Sequence, residues 1–82
     1  MGSDEHSAVR IPGEEVDALI DAVCSALDLA HQGRTAEGYA VLLEGCRRAQ
    51  EASAGQEWEA ALLERWRGAL ERYGERWPVG RA

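Results

Sequence analysis

The side chains in this chain that could do chemistry are two histidines, two cysteines and a row of carboxylates. Catalysis needs a nucleophile, a base and a charge-stabilising group held together. His31 has the chemistry of a base or a ligand, yet no partner stands near it at motif spacing. It reads instead as a cap or dipole partner at a helix end, and His6 falls in a polar N-terminal stretch. Cys24 and Cys46 fit no zinc spacing; they read as small buried hydrophobes with reduced thiols, a disulfide between two helices being the alternative. Glu14, Glu15, Asp17, Asp21 and Asp28 form an acidic rim. Paired carboxylates can take a divalent cation, but charges strewn along a helix are expected to be solvated surface. The glycines match no phosphate-binding loop. The expectation is a protein that is not an enzyme and has no cofactor and no metal.

Composition narrows the partners. The chain of 82 residues allows one domain, and its net charge is −6. All nine cations are arginines, and lysine, phenylalanine and asparagine are absent. The missing residues have AT-rich codons, which points to a GC-rich, bacterial genome. An acidic domain is a poor ligand for phosphate backbones, which need clustered positive charge, so nucleic acid is not an expected partner. Residues 1–11, "MGSDEHSAVRI", lack the basic start and apolar run of a signal peptide. No stretch approaches the roughly 20 apolar residues that cross a bilayer. The expected location is the cytoplasm, with no membrane partner.

Three elements must position whatever these residues do. In "PGEEVDALIDAVCSALDLAHQG", Val16, Leu19, Ile20, Val23, Ala26, Leu27 and Ala30 recur at steps of three and four, the mark of an amphipathic helix. Pro12 suits its start, the early acids complement its dipole, and Gly33 ends it. A second helix begins with Thr35 as the expected N-cap. It buries Tyr39, Leu42, Leu43, Cys46 and Ala49, carries Arg47 and Arg48 in its later turns, and stops before Gly55. A third carries Trp58, Leu62, Trp66, Ala69 and Tyr73, and Pro78 forbids its extension. Glu64 with Arg67 and Arg67 with Glu71 stand at ion-pair spacing on it. The short links "QGRT" and "SAGQ" make consecutive helices antiparallel neighbours, and no segment alternates with period two. The expected fold is all-α: an up-down-up antiparallel three-helix bundle over residues 12–78, with helices over about 13–32, 35–53 and 56–77 and tails over 1–11 and 79–82.

Gly38 and Gly45 sit inside the second helix, where each costs about 0.5–1 kcal/mol relative to alanine. Seven residues make about two turns, so the pair shares one face and leaves a trough beside Leu42. Ala22, Ala26 and Ala30 make a strip of small residues on the first helix that could enter it. Close approach of the two backbones would then recover dispersion contacts.

The stretch "ALDLAHQGRTAEGYAVLLEGCRRA" resembles one tetratricopeptide repeat, a helix-turn-helix unit; the likeness covers residues 22–49. Ala26, Gly38 and Gly45 match the family's small residues, Leu42 the bulky one between them, and Gly33 the turn. The aromatic residues the family carries early in its first helix are absent, as is the proline after its second, and the chain holds no further copy. The resemblance implies a protein-binding scaffold without catalysis.

The third helix carries the residue types enriched at binding hot spots, tryptophan, tyrosine and arginine. Trp58, Leu62, Arg65, Trp66, Arg72, Tyr73, Arg76 and Trp77 are therefore the expected contact surface, since one helix can bury only one stripe in so small a bundle. The expected function is a small adaptor that self-associates or binds a larger protein partner through that helix. The competing reading is a nucleic-acid-linked regulator using Arg65, Arg67, Arg72 and Arg76, against which the interleaved glutamates count.

Overall fold

A computed structural model describes residues 10–78, so the expected tails lie almost wholly outside the described part. Among those residues the fold is all-α: α1 spans Gly13–His31, α2 Thr35–Ser53 and α3 Glu59–Arg76. The chain direction reverses at each link, as the short connections require. α1 and α3 therefore run parallel, both resting on α2, and they touch one another only sparsely. No described helix is long and apolar enough to cross a membrane.

Helix ends follow local chemistry. Pro12 occupies the N-cap position of α1, and its carbonyl accepts the amides of Glu15 and Val16 at 3.0 and 3.2 Å. At the other end Gly33 takes φ +83°, a left-handed conformation that suits glycine. Its amide reaches the Ala30 carbonyl and the Arg34 amide reaches that of Leu29, the paired bonds of a Schellman stop. The α2–α3 link turns on Ala54 (φ −55°, ψ 124°) and Gly55 (φ +81°), closed by the Gln56 amide on the Ser53 carbonyl at 2.9 Å. Those angles define a type II turn, which needs positive φ at its third residue.

One boundary and one cap differ from the sequence pattern by more than the single residue at the ends of α1 and α3. α3 starts at Glu59, with Gln56–Trp58 still in a turn. Thr35 is the first residue of α2 and not its cap: Arg34 holds the cap position, without a side-chain capping bond. The buried core joins Ala26 and Ala30 of α1, Leu42 and Ala49 of α2, and Leu62, Trp66 and Tyr73 of α3. Ser53 is the buried polar side chain at its far end, its hydroxyl donating to the Ala49 carbonyl at 2.6 Å.

Candidate functional site: the groove between α1 and α3

The glycine face of α2 sets where α3 lies. A Cβ on Gly45 would stand 2.6 Å from Cζ3 of Trp66. One on Gly38 would stand 2.7 Å from the Ala26 carbonyl oxygen, with the Tyr73 hydroxyl also in its way. The seven-residue step on α2 thus meets the seven-residue step from Trp66 to Tyr73, read in the opposite direction. α1 enters the trough at Gly38, through the Ala26 backbone. At Gly45 the occupant is the Trp66 ring, where the alanine strip of α1 was expected.

The Tyr73 hydroxyl donates to the Thr35 carbonyl at 2.6 Å, and burial raises its pKa above the ordinary phenol range. The indole N–H of Trp66 is buried without a partner among the described residues. Its value there is volume, since such a group costs about 1–3 kcal/mol.

On the opposite side of α3 nothing closes the gap to α1. A groove of about 720 Å³ runs between the two parallel helices, with Leu42 at its floor. Leu19, Ile20, Val23, Cys24 and Leu27 form the α1 wall. Gly68 and Ala69 offer little bulk on the α3 wall, to which Tyr73 also contributes; it is edged by Arg65, Arg72 and Arg76, with Glu64 as the one acid among them, and closed at its end by Trp77. Ile20 and Leu27 are 52% and 38% exposed, against 2% for Trp66, so the wall is apolar surface facing water. Trp77 packs on Tyr73 at 5.0 Å between ring centres, meets His31 edge-on at 5.9 Å and lies under the Arg76 guanidinium at 5.2 Å.

This geometry redistributes the expected contact surface. Leu62, Trp66 and Tyr73 belong to the core of the single chain, the two rings seated over Gly45 and Gly38 of α2, and Tyr73 also lines the groove. Trp58 is half-buried at the start of α3, away from the groove. Arg65, Arg72, Arg76 and Trp77 do line one surface, and Arg67 is not part of it. The α1 wall was missed: its apolar stripe reads as wholly buried, yet only Ala26 and Ala30 are. Cys24 is exposed at the groove and Cys46 half-buried, both as free thiols. A usable signal was present, since Ile20 and Leu27 stand seven apart beside a buried line already filled by alanines.

Charge is distributed unevenly as well. Arg34 pairs with Glu37, Arg47 with Glu44 and Glu51, and Arg48 with Glu44, at 2.5–3.2 Å on exposed surface of α2 and its approach. Hydrogen bonding from Arg47, then Arg48, lowers the pKa of Glu44. The pairs expected on α3, Glu64–Arg67 and Arg67–Glu71, are not formed, and Arg65, Arg72 and Arg76 have no ion-pair partner among the described residues. No group of three or more histidine, cysteine, aspartate or glutamate side chains there could hold a metal ion. Comparison with protein-family models, curated proteins and solved structures found no match.

Proposed function

We propose that the chain is a non-catalytic protein-interaction module and that the α1–α3 groove is its contact surface. The observation that carries the reading is the groove wall itself: Ile20 and Leu27 face solvent beside Arg65, Arg72 and Arg76, which have no ion-pair partner among the described residues. Apolar side chains at helical spacing in a groove of this shape suit an amphipathic helix lying along it. Arginine at the margin and an aromatic residue at the end are the types that dominate contact energies. The likeness of residues 22–49 to a tetratricopeptide unit supports the same class of function.

In-cell photo-crosslinking tests the proposal. A benzophenone amino acid at Leu27 is expected to give a covalent protein adduct, while the same group at Gln50, exposed on α2, gives none above background. Equal labelling at the two positions, or none at Leu27, would overturn the reading.

A further inference from the structure

The groove asks for an occupant with an apolar stripe and an acidic margin, and α1 is itself such a helix. Ile20 and Leu27 lie on one line of its surface, with Val16 and Val23 on the next, the three-four spacing by which parallel helices interlock. Just beyond that line stand Asp17, Asp21 and Asp28, all exposed and none in an ion pair among the described residues. Residues 1–9 and 79–82 carry Met1, Ala8, Val9, Val79 and Ala82 as their apolar side chains, in no helical stripe that would match the groove.

We infer that the groove is occupied by α1 of a second copy, related by a two-fold axis running along the helices. The inference rests on the proposed role of the groove as a contact surface. In this arrangement each α1 lies in the other copy's groove, Ile20 meets Ile20 of the partner, and Leu27 meets its counterpart. Rotation about that axis turns the aspartate edge of the incoming helix toward the arginine edge of α3.

Level and register agree with the pairing. Ala26 and the tip of Tyr73 meet over Gly38, and His31 meets Trp77, so α1 and α3 are level there to about a turn. Parallel helices of equal rise then bring Asp17 within about one turn of the height of Arg65, and Asp28 within about one turn of Arg76, a gap the long arginine side chains can span. A two-fold axis along the helices keeps those heights in the partner. The alternative axis, perpendicular to the helices, would set aspartates on aspartates and arginines on arginines.

The area is sufficient. Helices about 28 Å long, side by side, offer about 550 Å² per copy. The total of about 1,100 Å² falls just below the range of stable interfaces, which suits a weak, micromolar dimer.

Sedimentation equilibrium of the full chain, with circular dichroism as the folding control, tests the inference. The wild type is expected to form a dimer. Arg65→Glu with Arg72→Glu, and separately Asp17→Arg with Asp21→Arg, should each weaken it by about tenfold or more. An equimolar mixture of the two variants should recover dimerisation. In a chain with Cys24 and Cys46 replaced by serine, Ile20→Cys and Leu27→Cys should each oxidise to a disulfide-linked dimer. Linkage at one position only, or at neither, would overturn the parallel arrangement. A wild type that stays monomeric, or charge variants that associate as the wild type does, would overturn the second copy as occupant. A monomer that still gave a foreign adduct at Leu27 would retain the contact surface and remove the dimer, whereas no adduct at all would remove both.

Discussion

α3 faces two neighbours, and the two seams are built in opposite ways. Toward α2 it presents Trp66 and Tyr73, and α2 answers with Gly45 and Gly38, so large rings enter gaps where no side chain stands. Toward α1 it presents Gly68 and Ala69 and a charged margin of three arginines with Glu64, and α1 answers with branched aliphatics that have nothing to enter. The first seam packs rings against bare backbone, although Gly45 and Trp66 also border a hollow of about 560 Å³ beside Ala18 and Ala22; the second is open and edged with charge. Tight complementarity therefore marks where this small domain gains its stability. Its absence marks surface available to something else.

The largest expected effect removes the ring from the first seam. Trp66→Ala should destabilise the fold by about 3–5 kcal/mol, read by urea denaturation. Filling the same seam comes next. Gly45→Leu or Gly38→Leu should lower stability by more than about 2 kcal/mol through overpacking. An unchanged or raised melting temperature would mean that the trough is empty. At Gly38 even alanine should destabilise, because the Ala26 backbone carbonyl cannot yield as a side chain can. Gly74→Ala on α3 is the control, with nothing within 4 Å of an added Cβ. It should stabilise by up to about 1 kcal/mol.

Tyr73→Phe should cost about 1 kcal/mol for the lost bond to the Thr35 carbonyl. It also tests linkage. The folded-state pKa of Tyr73 is raised, so its contribution is fully present below the ordinary phenol value of about 10 and is lost as pH climbs through the folded value. Stability of the wild type should fall more steeply above that pH than stability of the phenylalanine variant, as thermal melts across the alkaline range would show.

The smallest expected effect belongs to the open seam. Ile20→Glu should change the stability of the dilute chain by about 0.5 kcal/mol or less, as exposed substitutions do. A loss of 2 kcal/mol or more would show that α1 is buried there, and the comparison between the seams would fail.

The helices were legible in the sequence because their signals are local. Three-and-four periodicity, Pro12, Gly33 and the breaker around Gly55 each act over a few residues, and the observed elements follow them closely. The two glycines also announced a close approach through their seven-residue spacing. What the pattern withheld was which neighbour makes that approach. Ala22, Ala26 and Ala30 and the rings of α3 are equally suited to fill a trough, and only the angle between helices chooses among them. The same limit assigned Leu62, Trp66 and Tyr73 to the outside, since periodicity finds an apolar stripe without saying whether one chain suffices to cover it. It hid Ile20 and Leu27 for the converse reason.

The difference between the seams is open to direct measurement by nuclear Overhauser spectroscopy on the dilute chain. The Hα protons of Gly45 should show cross-peaks to the six-membered ring of Trp66, and those of Gly38 to the Tyr73 ring. The methyl groups of Ile20 should show none to Trp66. Cross-peaks from the Trp66 ring to Ile20 or Leu27, with none to Gly45, would place the ring in the other seam and contradict the account.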